Sequence, residues 1–329
     1  MVHKRQANEF TLNFAVRPTG PLLIKSGQES GADPTLLDMN FVRTYYAPLG
    51  AGTVYLPGSS LKGTLRSYAE KIARTVAADD KRQPPFSCNP LGRGVNIEKT
   101  DYSCGAWIEK KKKDATSMEK HADSCLICRT FGNNVIASHV TITDAYPVDP
   151  EAPEDMALLL ETNRTGERDG VAIDRVSGAV AVGPFNLEVV NRGAFFGSLT
   201  LFNFQLWQLG LLAIVLRDLS MERVPIGFAK SRGLGRVKVE FSEAKVAYPG
   251  RFSAGDAADS LKGITSLLSE EALAGYDYRP EKPLPLHGRG ELLEEGEYGR
   301  VVLGWTGHDN VETLLKQCVP YWADMVANW

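Results

Sequence analysis

The residues with the clearest chemical spacing in this sequence are cysteines. Cys125 and Cys128 are separated by two residues, a spacing that lets both thiolates point at one metal ion. Two further thiolates would complete a tetrahedron, and the same polar stretch supplies them in Cys88 and Cys104. This stretch is rich in Gly, Lys and Asp, and it has too few apolar residues for a core of its own. The spacing therefore predicts a structural site in which four thiolates bind Zn²⁺.

One histidine, His121, lies in the same stretch and is a reserve ligand that would replace one of the cysteines. The alternative to a metal site is a set of surface thiols in a long loop. A disulfide framework is not expected, because the number of cysteines is odd and a cytosolic thiol stays reduced. The fifth cysteine, Cys318, lies far along the chain.

The composition is that of a globular chain with enough apolar material for a sizeable core. Hydrophobic residues make up 43% and charged residues 23% of the 329 residues. Neither an apolar run of membrane-spanning length nor a signal peptide is evident, so we expect a cytoplasmic protein without membrane contact. From Ser242 onward the chain carries 14 acidic and 8 basic residues, a formal charge of −6 against +3 before it. This asymmetry permits a first part that binds a polyanion.

The hydrophobic periodicity predicts two successive β-α-β units. Apolar residues recur at every second position in the strands, and the helices have amphipathic spacing, the first with a serine as its N-cap. The predicted strands are residues 8–16 and those beginning at His139, Gly193 and Gly233, and the predicted helices begin near Ser59 or Ser60 and at Gln205. This order is typical of an α+β protein with a ferredoxin-like core.

Two insertions and a final segment complete the predicted organisation. The core spans residues 1–241 and is interrupted by the cysteine-containing segment, residues 79–129. The second insertion, residues 149–191, has a basic, glycine-rich first half followed by alternating apolar residues, which is typical of a projecting hairpin. Residues 242–329 form an acidic extension with weak helical patterns.

Basic residues accompany serines and glycines at the start of the first predicted helix. The segment "LPGSSLKGTLRSYAE" places Ser59 and Ser60 at the helix N-terminus, with Lys62 and Arg66 on one face of the first turns. A helix N-terminus attracts anions through its dipole and its free N–H groups. For an isolated motif, the alternative is a capped helix with two solvated cations.

A second basic segment, "VPIGFAKSRGLGRVKVEF", follows the second helix. Its glycines alternate with Lys230, Arg232 and Arg236. Glycines let backbone N–H groups approach a phosphate, and basic side chains neutralise its charge. Because the loop follows a helix, it differs from a P-loop and from a dinucleotide fingerprint, and taken alone it is equally compatible with a structural turn.

Three motifs together resemble the RAMP superfamily of CRISPR effector proteins, and more narrowly the backbone subunit of type III complexes. They are the Pro-Gly-Ser-Ser-Leu-Lys-Gly helix start, "CRTFGN" at residues 128–133 and the Gly-Leu-Gly-Arg-Val strand. The resemblance covers residues 8–241 and implies an RNA-recognition-motif-like core, a projecting thumb and other effector subunits as partners. It also implies a guide RNA bound through its phosphates, independently of base identity. The residues implied are Ser59, Ser60, Lys62, Arg66, Lys230, Arg232 and Arg236.

The resemblance gives the predicted hairpin a role as well. "GVAIDRVSGAVAVG", residues 170–183, is similar to the thumb segment of the family, in which an Ile-Asp-Arg run is common. It implies that the thumb wedges into the duplex of guide RNA and complementary target RNA, with Val171 and Ile173 as apolar wedges and Arg175 as a further contact. The alternative is an ordinary exposed hairpin.

Catalysis in the cleaving members of the family depends on one aspartate between the first strand and the first helix. The segment "LLDMNFVR" resembles the family's aspartate segment and makes Asp38 the first choice, with Asp33 as the second. The family often has proline where this chain has Asn40. The implied reaction is attack by a 2′-hydroxyl of the target RNA on the adjacent phosphate, assisted by Mg²⁺ or another divalent cation.

Two other functions are compatible with the sequence. The first is a non-cleaving structural subunit of the same complex, with the same RNA contacts. The second is a zinc-stabilised α+β domain that binds a small phosphorylated ligand through the glycine loop. A stand-alone guide-processing ribonuclease is less favoured, because such enzymes commonly use histidine as a general acid or base, and the five histidines offer no suitable placement.

Overall fold

The fold is given by a computed structural model of the chain. The residues that it describes are 5–27, 39–47, 50–77, 83–96, 99–153, 156–249, 259–286, 291–295 and 300–329. Within these ranges the chain is a mixed α+β protein whose strands pair antiparallel in its sheets. No helix in them is long and apolar enough to cross a membrane.

The first half of the chain alternates short strands with helices. In chain order, its elements are β1 (Glu9–Pro18), β2 (Arg43–Tyr46), β3 (Ala51–Val54), α1 (Gly58–Val76), α2 (Cys104–Lys111), α3 (Ser117–Ala122), α4 (Leu126–Phe131), β4 (Val140–Ile142) and α5 (Met156–Asn163). The strand predicted at residues 8–16 and the one predicted from His139 are confirmed as β1 and β4, and the first predicted helix as α1.

The second half begins with a hairpin and ends with a long helix. Its elements are β5 (Gly166–Ile173), β6 (Val180–Val189), β7 (Phe195–Phe202), α6 (Leu206–Ser220), β8 (Val237–Pro249), β9 (Ser260–Leu261), α7 (Glu270–Leu273), β10 (Leu284–Pro285), β11 (Glu291–Glu295), β12 (Arg300–Thr306) and α8 (His308–Asn328). The remaining predicted strands correspond to β7 and β8, and the second predicted helix to α6.

One antiparallel sheet forms the centre of the molecule, in the order β11-β12-β8-β1-β7-β4. β1 lies between β7 and β8, with Phe10 opposite Leu201 on one side and Val246 on the other. Alternate side chains of β1, including Phe10 and Phe14, are buried, because successive residues of a strand point to opposite faces. This alternation is the pattern from which the strand was predicted.

Helices α1 and α6 cover the sheet and supply much of the core. Leu65 of α1 and Leu216 of α6 line the same small apolar cavity as Phe14 and Val16 of β1. The spacing of buried residues along α1 places them on one face of the helix. The residues at the start of α1 that are predicted to bind phosphate are therefore held in place by the buried face of the helix, which packs on the sheet.

The last segment of the chain continues the sheet instead of starting a separate unit. The predicted boundary between residues 241 and 242 lies inside β8, and β12 pairs with β8 from Arg300 to Thr306. α8 packs on α6, and a Cβ at Gly210 of α6 would lie only 2.4 Å from the carbonyl oxygen of Cys318 in α8. This close approach explains why a helix interior tolerates glycine here.

Candidate functional site

The four cysteines predicted as ligands meet in one buried cluster. The sulfur atoms of Cys88, Cys104, Cys125 and Cys128 all lie within 4.8 Å of one another, and all four are free thiols. The Sγ atoms of Cys88 and Cys128 are 3.6 Å apart. Tetrahedral Zn–S bonds of about 2.3 Å require sulfur separations of about 3.8 Å. The cluster therefore has the size and the donor atoms to hold a metal ion such as zinc.

Backbone amides point at the sulfur atoms of this cluster. Cys125 is the N-cap of α4, and its Sγ accepts the N–H of Cys128 at 3.4 Å, as a capping oxygen would. The Cys125 N–H in turn donates to Sγ of Cys104 at 3.3 Å. Burial opposes ionisation of Cys125, but hydrogen bonds from the neighbouring thiols and the Cys128 amide outweigh it and hold the pKa of the Cys125 thiol well below its ordinary value. This arrangement favours a thiolate, the form that binds a metal.

His121, the reserve ligand, has a different position. Its Nδ1 atom lies 3.1 Å from the carbonyl oxygen of Tyr276, and its buried ring packs on Tyr276 and Tyr278. The potential metal ligands that cluster in the described ranges are the four cysteines, without His121. The histidine instead attaches the cysteine-containing segment to the residues before β10.

Arg66 is engaged by the cysteine-containing segment. Its Nη1 donates to the carbonyl oxygen of Gly132 at 2.9 Å, its Nη2 lies 3.7 Å from Sγ of Cys128, and its Nε donates to Glu70 at 3.0 Å. Burial lowers the pKa of the guanidinium, but the negative charges of Cys128 and Glu70 raise it more. Arg66 thus joins α1 to the cysteine cluster, and three of its five N–H groups are already used.

Lys62 lies one turn before Arg66 and faces an open groove. The groove has a volume of about 1080 Å³ and runs between α1 and the cysteine-containing segment, which contributes Arg93. Lys62 has no hydrogen-bond or ion-pair partner in the described part of the chain. Burial and the charge of Arg66 lower its pKa from the ordinary lysine value. Lys62 is therefore a cation available to a ligand.

The N-terminus of α1 differs from its prediction. The helix begins at Gly58, and neither Ser59 nor Ser60 caps it, although both are exposed. Instead, the N–H of Gly58 donates to Oδ1 of Asp144 at 2.7 Å. A Cβ at Gly58 would lie 2.2 Å from the carbonyl oxygen of Ile142, so only glycine permits this approach. The predicted serine N-cap is wrong because a carboxylate 86 residues away fills that role.

The glycine loop between α6 and β8 is held against the segment that follows β1. The N–H of Gly235 donates to the carbonyl oxygen of Pro21 at 2.8 Å, and the N–H of Phe228 donates to that of Leu23 at 2.8 Å. Gly235 has a φ of +86°, and a Cβ there would lie 2.0 Å from the carbonyl oxygen of Ile226. The loop conformation therefore requires glycine at this position.

The basic side chains of this loop point into solvent. Lys230, Arg232 and Arg236 are exposed, and none has a hydrogen bond or ion pair from its side chain to another described residue. Lys230 and Arg236 line an open recess of about 670 Å³ together with Arg223. The guanidinium of Arg232 lies 5.4 Å from the ring centre of Phe228. This arrangement can bind phosphate groups without contacting bases.

The predicted thumb is a separate two-stranded hairpin of β5 and β6. Its base is fixed by Glu188, which accepts hydrogen bonds at 2.8 Å from Nη1 of Arg43, the N–H of Phe41 and the hydroxyl of Thr165. Burial raises the pKa of Glu188, but these hydrogen bonds outweigh it and the pKa is lowered. The carboxylate is therefore ionised and joins the hairpin to β2.

The outer half of the hairpin exposes apolar side chains. Ile173 is 61% exposed and Val176 is 97% exposed, and Val171 and Val180 are also exposed. Oδ1 of Asp174 accepts the N–H groups of Val176 and Ser177 and thereby shapes the turn. Arg175 lies in the same exposed turn. An apolar tip on a polar protein is an unusual surface, because these side chains remain exposed even where Ile173 and Val180 lie opposite each other across the hairpin.

The predicted catalytic residues Asp33 and Asp38 lie outside the described residues, and their role stays a prediction. Met39 follows Asp38 in the sequence; its N–H donates to the carbonyl oxygen of Asn186 at 3.2 Å, and its carbonyl oxygen accepts the N–H of Glu188 at 2.9 Å. The chain therefore joins the base of the hairpin immediately after Asp38.

The fold and these surfaces define a mixed α+β protein with a metal-competent cysteine cluster and exposed phosphate-binding candidates. Residues 19–238 match the family model of the RAMP superfamily, which is more than half of the chain. The chain therefore belongs to the RAMP superfamily, and this membership indicates a CRISPR-associated, RNA-binding subunit. No curated protein matches the chain.

The sequence analysis missed the residues that position these surfaces. Asp144 caps α1, and Glu188 binds Arg43 from 145 residues away. Neither pair is close enough in sequence for a local pattern to connect its members. A weak signal existed only for Glu188, a carboxylate that interrupts the apolar run "FNLEVV" and therefore needs a buried partner.

Proposed function

We propose that this chain is the guide-RNA-binding backbone subunit of a type III CRISPR effector complex, in which it acts with other effector subunits. The observation that carries the proposal is the exposed glycine loop on a member of an RNA-binding family. Lys230, Arg232 and Arg236 are cations without an acidic partner among the described residues. Cations of this kind bind RNA phosphates and release counterions, and they do so for any base sequence.

The sheet order supports an RNA-recognition-motif-like core. Strands β8, β1, β7 and β4 are adjacent in that order, with α1 following β1 and α6 following β7. This is the β-α-β-β-α-β connectivity of the ferredoxin-like fold. We assign residues 1–241 to this core, residues 79–129 to a zinc-binding insertion, residues 149–191 to the thumb and residues 242–329 to an acidic extension, which shares strand β8 with the core and completes the sheet.

The start of α1 supplies the second set of proposed guide contacts. Ser59 and Ser60 are exposed on its first turn, and Lys62 faces the groove without a partner in the described ranges. Arg66 contributes less to phosphate binding than its spacing suggests, since Glu70, Gly132 and the cysteine cluster already use its guanidinium. Its main role in the proposal is to hold the wall of the groove in place.

The exposed tip of the hairpin suits the role of a wedge in the duplex of guide and target RNA. Apolar side chains that insert between bases unstack them at a cost of a few kcal/mol, which the new contacts offset. Val171 and Ile173 are the proposed wedges, and Arg175 is the proposed phosphate contact beside them. Their exposure leaves them free for this contact.

Cleavage of the target RNA is assigned to Asp38, with Asp33 as the second choice. The residue after Asp38 pairs with the hairpin base, so a carboxylate in this segment acts near the nucleotide that the thumb displaces. In this position it would orient or deprotonate the attacking 2′-hydroxyl, or hold a divalent cation such as Mg²⁺. Each role leads to a 2′,3′-cyclic phosphate on one product, because the new bond from the 2′-oxygen to phosphorus replaces the bond to the 5′-oxygen, which leaves and takes a proton from water.

The test of catalysis is cleavage of a labelled RNA complementary to the guide by the reconstituted complex with Mg²⁺. The chain with Asp38→Ala is compared with the unmodified chain and with Asp114→Ala, which removes an exposed carboxylate elsewhere. We expect a loss of about 100-fold or more in the rate for Asp38→Ala alone, because general acid–base catalysis contributes factors of this size. Unchanged cutting in both Asp38→Ala and Asp33→Ala would show that this chain is a non-cleaving subunit.

The test of guide binding is the salt dependence of affinity for single-stranded RNA. The slope of log K against log salt concentration is negative, and each phosphate contact that is lost makes it less steep by about 0.7. We therefore expect the triple substitution of Lys230, Arg232 and Arg236 by alanine to lower the affinity and to make the slope less steep. A chain that binds a small phosphorylated ligand and has no salt-sensitive affinity for RNA would contradict the proposal.

A further inference from the structure

Three tyrosine rings from separate parts of the chain form a column at the surface. The ring centres of Tyr46 and Tyr146 are 4.6 Å apart, and those of Tyr146 and Tyr55 are 5.9 Å apart, with interplanar angles of 29° and 15°. Tyr146 is therefore the middle ring. All three are only half-buried, and Tyr45, next to Tyr46, is 68% exposed. We call these four residues the tyrosine patch.

The backbone fixes the column before any ligand binds. Leu56 and Ala145 exchange two hydrogen bonds of 2.9 Å, which places the neighbouring Tyr55 and Tyr146 side by side. Tyr46 belongs to β2, where it pairs with Ala51 of β3. Burial and the nearby charge of Asp144 raise the pKa of the Tyr146 phenol further above neutral pH. The stack is thus a preorganised aromatic surface.

The position of the patch links it to the proposed guide contacts. Asp144 lies beside Tyr146 and caps α1 through the N–H of Gly58, so the column and the helix start share one edge of the molecule. Tyr55 lies only four residues before Ser59 and five before Ser60 in the sequence. The negative charge of Asp144 is directed at the positive end of α1, which reduces its repulsion of a nearby phosphate.

We propose that the tyrosine patch stacks an unpaired nucleobase of the RNA bound along α1. This inference rests on the proposed RNA-binding function and adds a base contact to the phosphate contacts. Aromatic side chains stack on any base, because every base has a π-face, and the contribution is about 1–3 kcal/mol per base. Tyr46 carries the contact because it is an end ring of the column and lies next to the exposed Tyr45.

The experiment compares binding of a fluorescent single-stranded RNA and of the same RNA with abasic residues to the full chain. Tyr46→Leu removes the aromatic ring, Tyr46→Phe keeps it, and Tyr321→Leu makes the same change at a half-buried tyrosine of α8, outside the patch. We expect Tyr46→Leu to weaken binding of the intact RNA about 5- to 100-fold, with Tyr46→Phe and Tyr321→Leu near the unmodified chain. The abasic RNA should bind Tyr46→Leu and the unmodified chain equally.

The salt slope distinguishes this inference from the function on which it rests. Loss of stacking leaves the phosphate contacts intact, so Tyr46→Leu should not change the slope, whereas the triple substitution in the glycine loop should. Equal affinity of folded Tyr46→Leu and the unmodified chain for intact RNA would overturn the stacking site, while a persistent effect of the loop substitutions would leave the proposed function standing. If the unmodified chain shows no affinity for RNA, both are wrong.

Discussion

The cysteine-containing segment and the β5–β6 hairpin are both insertions in the core, but they are held in different ways. The cysteine-containing segment is braced from several sides. Arg129, only 2% exposed, binds Asp277 and lies 4.5 Å from the ring centre of Trp329. The hairpin is anchored at its base through Glu188, and its tip exposes Ile173 and other apolar side chains.

This difference separates residues that maintain the structure from residues that remain available for contact. Around the cysteine-containing segment, the charged and thiol groups already contact one another. Arg66 of α1, for example, contacts the carbonyl oxygen of Gly132 and Sγ of Cys128. In the hairpin, the apolar side chains beyond the base remain exposed. We therefore expect substitutions in the cysteine-containing segment to lower stability, and substitutions at the tip of the hairpin to weaken its contact with RNA.

The largest expected effect is the loss of a cluster thiolate. Cys125→Ser removes the sulfur that accepts amide hydrogen bonds from Cys88 and Cys128. Structural zinc sites contribute on the order of 10 kcal/mol, so we expect a loss of roughly 4 kcal/mol or more in the free energy of unfolding. Elemental analysis should show loss of bound zinc, and thermal unfolding should show the lower stability.

Cys318→Ser is the matched control for this prediction. Cys318 is equally buried, but it lies in α8 and bonds to the carbonyl oxygen of Leu314. Its serine variant should keep the metal content of the unmodified chain. Retention of one equivalent of zinc by Cys125→Ser would contradict the four-thiolate site.

A smaller but still large effect is expected at the base of the hairpin. Glu188→Ala leaves the guanidinium of Arg43, the N–H of Phe41 and the hydroxyl of Thr165 without their acceptor. Because the Arg43 side chain is 43% exposed, loss of the ion pair itself costs little, but leaving the N–H of Phe41 and the hydroxyl of Thr165 unpaired costs about 3 kcal/mol together, which urea unfolding measures. Because the pKa of Glu188 is lowered in the folded state, its contribution is present at neutral pH and is lost as pH falls below about 4. A variant as stable as the unmodified chain at pH 7 would show that the base is not anchored by this carboxylate.

A buried carboxyl at the start of α6 should make stability depend on pH in the opposite direction. Glu281 accepts the N–H of Leu206 at the start of α6, and burial raises its pKa to about 8. The folded state therefore binds more protons than the unfolded state between about pH 4.3 and 8, and stability falls as pH rises through this range. We expect Glu281→Gln to remove about 2 kcal/mol of this decline between pH 6 and pH 9.

Urea unfolding at several pH values measures this prediction, and Glu271→Gln is its control. Glu271 is an exposed carboxylate in α7, the helix that precedes Glu281 in the chain. Its variant should keep the pH dependence of the unmodified chain. A decline in stability that is equally steep in Glu281→Gln would assign the pH dependence to another group.

The local features of these two regions could be predicted from the sequence, but the long-range contacts that hold them could not. The four thiolates were predictable because ligand spacing is a local signal, and the hairpin because Gly and alternating valines surround its turn. The braces were not, because Arg129 with Asp277, and Arg43 with Glu188, join residues 148 and 145 positions apart. Arg66 shows the same limit: its helical spacing from Lys62 predicted a shared phosphate-binding face, but tertiary contacts use its guanidinium elsewhere.

The smallest expected effect on stability is at the tip of the hairpin. Val176→Ser changes a side chain that is 97% exposed and should alter the free energy of unfolding by less than about 0.5 kcal/mol, as most surface substitutions do. Ile173→Ser, at 61% exposure, should behave similarly. Urea unfolding checks both, and the same variants in the reconstituted complex should slow target cleavage if the tip contacts the duplex. Substantial destabilisation by Val176→Ser would mean that the tip packs within the protein. The hairpin tip would then maintain the structure, as the cysteine-containing segment does, and the two insertions would not differ in this respect.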